Sequence, residues 1–173
     1  MKFAFCLFKY FPYGGLQRGF FSLAKECVAR GHLIDVYTGS WTGPSPHDMQ
    51  ITVLPCTKRT NHRWYATFAR KLEQYTQNRH YDAVVGFNKM PGLDIYFASD
   101  GCYAFLANKR SLFYRLTPRY RTLLSLERAV FDPRSSTHII SISEQERKRY
   151  ISSYSTPEHR FHPVPPGISK ERF

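Results

Sequence analysis

The 173-residue sequence lacks a long apolar run, because no stretch approaches the roughly 18 apolar residues that cross a bilayer. We also expect no secretory signal at its N-terminus, where one lysine precedes strand-like sequence without a small-residue cleavage motif. Cysteines are few and have neither metal-ligand nor redox spacing, so we expect free thiols in a reducing cytoplasm. The four are Cys6, Cys27, Cys56 and Cys102. No metal site is predicted.

Acidic residues are scarce, with 13 Asp and Glu against 25 Lys and Arg, which leaves a net charge of +12. Such an excess favours an anionic partner, namely nucleic acid, a lipid surface or a phosphorylated substrate. The hydrophobic content of 42% indicates a folded chain, and its length suits one domain.

Strand-like and helix-like segments alternate along the whole chain. Apolar strand runs are followed by segments with apolar residues three and four apart, first in residues 16–30 and again from Asn61 to Asn78. This order predicts an α/β fold, a Rossmann-like and mostly parallel sheet with helices on both faces. Ligands bind such sheets at the carboxyl ends of the strands, so the loops after Leu7, Phe87 and Ser99 are candidate site loops.

The stretch FPYGGLQRGF places Gly14 and Gly15 between the first strand and the first helix. The glycine spacing does not match the dinucleotide fingerprint, and Phe20 and Phe21 stand where a P-loop needs Lys and Ser or Thr. Two interpretations stay open. The glycines either make a tight turn, or bring backbone N–H groups to a diphosphate at the helix N-terminus with Arg18 beside them.

The C-terminal segment resembles the end of the N-terminal domain in retaining family-four glycosyltransferases of GT-B fold. The resemblance rests on the order of "THIISIS", a charged helix, Arg-Phe and "PPGI", together with "YFPYGGLQR", "GFNKMPGLD" and "LERAVFD". It extends over essentially all of the chain and is strongest for members that add glucose to a heptose of the lipopolysaccharide core. It implies that residues 1–173 form the single N-terminal, acceptor-side domain of a GT-B fold. Residues 164–173 then begin the interdomain crossover, and the C-terminal nucleotide-sugar domain is absent.

The resemblance also implies roles for individual residues. Gly14, Gly15, Arg18 and Arg172 would bind the donor, and Asp100 would lie beside the transferred sugar as the catalytic residue. A further set would bind the acceptor: Lys9, Asn88 and Lys89. Residue reasoning alone leaves other readings open, since Asp100 could cap a loop and Asn88 and Lys89 could belong to a turn. No metal cofactor is implied, because the fold uses helix N-termini and basic side chains to stabilise the leaving diphosphate.

Residues 103–134 combine seven basic residues with only two acidic ones. Thr117 and Pro118 predict the start of a new helix. On a helical projection, the apolar residues between Phe113 and Phe131 share one face, which arginines flank. This pattern favours a helix lying on an anionic membrane surface, although the same face could instead pack on the sheet. The proposed membrane residues are Phe113, Arg115, Arg119, Tyr120 and Arg121. Nucleic acid is not predicted as a partner, because a sheet buried on both faces offers no stacking platform.

The resemblance implies the transfer of glucose from UDP-glucose to a heptose of the lipopolysaccharide inner core, with retention of configuration. We expect this chain alone to be inactive. The partners would be the nucleotide sugar, the core acceptor and the anionic inner membrane, to whose cytoplasmic face the enzyme would bind peripherally. The alternative is a non-catalytic basic module that binds an anionic membrane surface.

Overall fold

The computed structural model describes residues 1–57 and 59–164. Its strands form one seven-stranded sheet in which every neighbouring pair is parallel, in the order β3-β2-β1-β4-β5-β6-β7. The strands are β1 Lys2–Leu7, β2 Leu33–Thr38, β3 Gln50–Val53, β4 Ala83–Gly86, β5 Ile95–Ala98, β6 His138–Ser141 and β7 Phe161–Pro163. This confirms the predicted Rossmann-like sheet.

Six α-helices connect these strands: α1 Gly15–Ala29, α2 Asn61–Gln77, α3 Tyr103–Ala107, α4 Leu112–Arg115, α5 Pro118–Phe131 and α6 Glu144–Tyr154. Local sequence explains several of their ends. Thr117 caps α5 by accepting a hydrogen bond from the Tyr120 N–H, and Pro118 occupies the first helical position as predicted. Gly31 follows α1 with a φ of +80°, a left-handed conformation that glycine adopts without strain.

The core has two parts, one on each face of the sheet. Helix α1 packs its buried Phe20 and Ala24 against Phe5, Leu7 and Val36 on one face. On the other face the buried side chains include Phe68 of α2, Phe131 of α5 and Tyr150 of α6. Helices therefore lie on both faces of the sheet, as the alternating pattern predicts.

The basic segment does not form one continuous apolar face, which corrects the projection from the sequence. Val130 and Phe131 at the end of α5 are fully buried in the core, and the Phe131 ring stacks on Tyr150 with ring centroids 3.7 Å apart. Phe113, by contrast, belongs to the separate short helix α4 and is 83% exposed. The break at Thr117–Pro118 separates the apolar residues into a buried group and an exposed group.

None of the helices in the described ranges is both long and apolar enough to cross a membrane.

Candidate active site

Two cavities open at the carboxyl edge of the sheet, where the sequence places the candidate loops. The first, of about 270 Å³, lies against α3 and α5 and is called here the inner pocket. Its lining is Phe8, Tyr65, Asn88, Lys89, Asp100, Gly101, Tyr103, Leu106, Leu123 and Leu126. The second, of about 680 Å³, is called the outer crevice. It is lined by Gly15, Leu16, Gly19, Ser22, Leu23, Phe97, Ser99, Asp100, Ile142 and Val164. Asp100 lines both cavities.

The two adjacent glycines differ in what surrounds them. A Cβ atom on Gly14 would lie 1.8 Å from the Gln17 Oε1 atom and 2.9 Å from the Phe11 ring. The Gln17 amide is held there because its Nε2 donates to the Lys9 carbonyl at 3.0 Å. A Cβ atom on Gly15 would meet nothing within 4 Å, and Gly15 does not have a positive φ. Packing thus explains Gly14, whereas Gly15 leaves open space at the first residue of α1.

Two of the predicted basic residues lie near this turn. Arg18 is exposed in the first turn of α1, and its backbone N–H donates to the Gly14 carbonyl. Lys9 is also exposed, and its ammonium lies 5.3 Å from the centre of the Trp64 ring. Both charges are accessible to a ligand at the carboxyl edge. Arg172 lies outside the described residues.

Asn88 connects the ends of two neighbouring strands. Its Oδ1 accepts a hydrogen bond from the Phe8 N–H at 2.8 Å, which ties the loop after β4 to the loop after β1. The residue is half-buried and lines the inner pocket. Asn88 therefore supports the pocket wall, and its role in binding an acceptor stays a prediction.

The Lys89 ammonium is already paired. It donates to Glu127 Oε2 at 2.5 Å and to the Gly101 carbonyl at 2.7 Å, and it lies 5.2 Å from the centre of the Tyr150 ring. Its side chain is only 10% exposed, and that of Glu127 is fully buried. Lys89 lines the inner pocket, and its charge is neutralised within the protein. We therefore expect any contact with an acceptor to be made by a lysine whose position is fixed.

Asp100 is held by its backbone and surrounded by charge. The Tyr150 hydroxyl donates to its carbonyl oxygen at 2.8 Å. Burial raises the pKa of the Asp100 carboxyl, and Glu127 raises it further, while Lys89 and the nearby Tyr96 hydroxyl lower it. A carboxylate in this setting is tuned by its neighbours, which is common for groups that act on a substrate.

The proposed membrane residues fall on two elements. Phe113 is exposed on α4, and Arg119 and Arg121 are exposed on α5. Arg115 and Tyr120 are half-buried. The Arg115 Nη2 donates to the Asn108 carbonyl at 3.2 Å, and the Tyr120 ring packs about 6 Å from those of Tyr103 and Tyr114. The structure thus leaves three of the five free to meet a surface and gives the other two internal contacts.

Sequence reasoning missed Glu127 and the aromatic lining of the inner pocket by Phe8, Tyr65 and Tyr103. A signal for Glu127 was present. It lies on the face of α5 that carries Leu123, Leu126 and Val130, and a carboxylate at core spacing indicates a buried partner. The aromatic residues gave no such signal, because they come together only in the folded chain.

Within residues 1–57 and 59–164, no three His, Cys, Asp or Glu side chains are grouped so that they could hold a metal ion. The four cysteines are free thiols, with Cys6 and Cys102 buried. Burial raises the pKa of the Cys102 thiol, and nearby Glu127 raises it further.

Comparison with known proteins gives the family. The sequence profile of Glycosyltransferase Family 4 matches residues 13–172. The chain belongs to this family.

The lipopolysaccharide glucosyltransferase WaaG of Escherichia coli (strain K12) is 43% identical over 170 residues, which are 98% of this chain and 46% of WaaG. A crystal structure of WaaG, described as a glycosyltransferase involved in lipopolysaccharide biosynthesis, matches with a TM-score of 0.95 and 42% identity. This structural match covers 98% of this chain and 46% of the WaaG chain. The chain thus spans about half of this relative and has the fold of the N-terminal half of a GT-B enzyme.

A match to a more distant solved structure supports the fold alone. The crystal structure of a glycosyltransferase from Rickettsia africae ESF-5 matches with a TM-score of 0.54 at 9% identity, over 96% of this chain and 43% of that one.

Proposed function

We propose that this chain forms the acceptor-side half of a glycosyltransferase of lipopolysaccharide biosynthesis. The reaction proposed is transfer of glucose from UDP-glucose to a heptose of the inner core, with retention of configuration. Its support is the family membership together with 43% identity to the lipopolysaccharide glucosyltransferase WaaG.

The observation that carries the proposal is the position of Asp100 between two cavities. On one side lies the outer crevice, which begins at the open Gly15 position at the N-terminus of α1. On the other side lies the inner pocket with Asn88 and three aromatic residues. A donor diphosphate on the first side and an acceptor sugar on the second would bring the transferred glucose to Asp100.

The donor side suits an anion without a metal cofactor. The first N–H groups of a long helix have no acceptor within the helix, and its dipole favours negative charge there. Because Gly15 has no side chain, a phosphate can approach this backbone closely, and the exposed Arg18 adds a positive charge in the same turn. Arg172 is proposed as a further donor contact, and no metal is needed for this step.

The acceptor side suits a sugar. Aromatic faces at Tyr65 and Tyr103 offer apolar contact for a ring, and Asn88 and Asp100 offer hydrogen bonds for hydroxyl groups. Lys9 is exposed in the loop after β1, and its ammonium is proposed to meet a phosphate on the core. Such a phosphorylated acceptor would account for part of the net charge of +12.

An anionic membrane surface is the second proposed partner, at the cytoplasmic face of the inner membrane. The supporting observation is a cluster of exposed apolar side chains beside exposed arginines. Leu112 is 74% exposed, Phe113 83% and Leu116 65%, with Arg119 and Arg121 nearby in the sequence. The alternative of a non-catalytic module is not supported by the comparisons, since the family and the relative are those of enzymes.

The test is to map both ligands on the isotope-labelled chain by NMR. A heptose-containing core oligosaccharide should shift the backbone amides of residues 88–89 and 100–104, and UDP-glucose should shift those of residues 14–16. Asp100→Asn should weaken both effects, whereas Asp48→Asn, on the remote β2–β3 loop, should change neither. If the oligosaccharide shifts no amide at the inner pocket, the acceptor assignment is wrong.

A further inference from the structure

Glu127 is a fully buried carboxylate that accepts hydrogen bonds from five groups. Its Oε2 receives the Lys89 ammonium at 2.5 Å and the Tyr103 N–H at 2.7 Å. Its Oε1 receives the Ala104 N–H at 2.8 Å, the Tyr154 hydroxyl at 2.7 Å and the Cys102 thiol at 3.7 Å. The carboxylate is therefore saturated by donors.

Stability alone does not account for this arrangement. Burying an ion pair costs desolvation of both charges, and well-packed apolar residues are often equally or more stabilising in the same place. What a saturated buried network supplies is a fixed geometry, because a donor that moved away would leave a polar group buried without its partner. The question is which parts of the molecule Glu127 fixes.

The donors to Glu127 come from three separate segments. Lys89 follows β4, Tyr103 and Ala104 begin α3 after the loop from β5, and Tyr154 ends α6. Lys89 also donates to the Gly101 carbonyl at 2.7 Å, so the loop carrying Asp100 is held from both sides. Lys89, Asp100, Gly101 and Tyr103 all line the inner pocket.

We propose that Glu127 is a positioning residue of the sugar-transfer site, which fixes Lys89 and the 100–104 loop and thereby places Asp100. The inference rests on the proposed function for the role of Asp100. The hydrogen bonds of Glu127 are observed independently of that function. Glu127 lines neither cavity and acts only through the residues that it holds.

The effect of the Glu127 charge on the pKa of Asp100 distinguishes this proposal from a role of Glu127 in packing alone. The groups facing Asp100 are Lys89 from the β4 loop, Glu127 from α5, Tyr96 from β5 and Tyr150 from α6. Glu127 acts on Asp100 directly, as a like charge, and indirectly, because it neutralises Lys89. Removing the Glu127 charge should therefore lower the pKa of Asp100 through both effects.

The experiment compares Glu127→Gln with the matched control Glu146→Gln in this chain. Glu146 also holds the same loop, since its Oε2 accepts from the Cys102 N–H at 2.7 Å, but it does not contact Lys89. We expect the pKa of Asp100, followed by carboxyl carbon NMR, to fall by roughly one unit or more in Glu127→Gln. It should change little in Glu146→Gln. An unchanged Asp100 pKa in a folded Glu127→Gln variant would overturn the proposal.

A measurement on the parent protein covers the case in which Glu127→Gln does not fold. Lys89 should react with acetic anhydride at least tenfold more slowly than the exposed Lys9, because its ammonium is held by Glu127 and Gly101. Equal reactivity of the two lysines would overturn the proposal without any variant.

A ligand measurement separates this proposal from the proposed function. In Glu127→Gln the shifts that the core oligosaccharide causes at residues 100–104 should be lost, and those that UDP-glucose causes at residues 14–16 should remain. If the parent chain binds neither ligand, the proposed function fails, while the Asp100 titration still decides the role of Glu127.

Discussion

At the scale of single residues, two neighbouring glycines in this protein have different physical reasons to be glycine. Gly14 is explained by its own chain, because the Gln17 amide occupies the space of a Cβ atom and would have to move. Gly15 has free space in front of it and no positive φ, so nothing within the described residues requires a missing side chain there. A ligand that approaches the helix N-terminus closely supplies such a reason.

The two glycines therefore predict opposite phenotypes. Gly15→Val should leave the chain folded, apart from a small helix-propensity effect at the first turn. In a protein completed with a donor domain, it should weaken UDP-glucose binding at least tenfold, or about 1.4 kcal/mol. Gly14→Val should instead lower the unfolding temperature, because Gln17 and Phe11 must move.

Thermal unfolding and calorimetric titration on both variants decide between these outcomes. If Gly15→Val binds UDP-glucose like the parent, Gly15 has no part in binding the donor.

Residues of the site could be predicted from the sequence only where their signal is local. Asp100 and Asn88 follow strands directly, so their place at the carboxyl edge comes from the order of elements. Lys89 shows the limit of this reasoning. Its partner Glu127 lies 38 residues further along the chain. The sequence does not show this contact, so Lys89 is interpreted there as an unpaired cation.

At the scale of elements, α3, α4 and the residue directly after α4 expose apolar side chains to solvent. Leu106 is 51% exposed, and Leu112, Phe113 and Leu116 are more exposed still. Single exposed apolar residues are ordinary, but four within eleven positions, with Lys109, Arg110 and Arg119 exposed beside them, form an amphipathic surface. We call these four residues the apolar corner.

The membrane proposal predicts that charge and the apolar corner contribute separately to vesicle binding. Replacing Arg119 and Arg121 with Gln should weaken binding to anionic vesicles by about 2 kcal/mol, or roughly thirtyfold, at about 1 kcal/mol for each basic residue. The fold should persist, because exposed charges contribute little to stability. Phe113→Ser should weaken binding to anionic vesicles as well, without changing its dependence on salt.

The matched control replaces Arg30, directly after α1, and Lys148, on α6, with Gln, since their side chains are 71% and 74% exposed. Co-sedimentation with vesicles, and circular dichroism on the same samples, compares the two pairs. Equal losses from both pairs would mean that net charge alone attracts the protein to the vesicles. A parent chain that does not sediment at low salt would contradict the membrane proposal.

At the scale of the whole molecule, the sheet could be predicted because buried parallel strands are recognisable in the sequence as short apolar runs. The runs around Phe5 and Val85 are continuously apolar, which is typical of strands covered on both faces. The division of residues 103–134 between core and surface was not predictable in the same way. Val130 and Phe113 are both apolar, but Val130 is buried and Phe113 is exposed. They lie on separate helices, because a new helix begins at Thr117–Pro118.

The chain covers 46% of WaaG, so the proposed enzyme needs a second half. Catalysis requires groups that bind the transition state more tightly than the ground state, and in a two-sided cleft these groups come from both sides. We therefore expect no multiple turnover when this chain alone is incubated with radiolabelled UDP-glucose and a heptose-terminated core. Joining the chain to the other half of WaaG should restore transfer to the acceptor. Asp100→Asn in the joined protein should reduce that transfer by roughly a hundredfold, the scale of losing one well-placed polar group in a catalytic site. Multiple turnover by the chain alone would show that residues 1–173 already contain a complete site, and the assignment of the chain as one side of a cleft would be wrong.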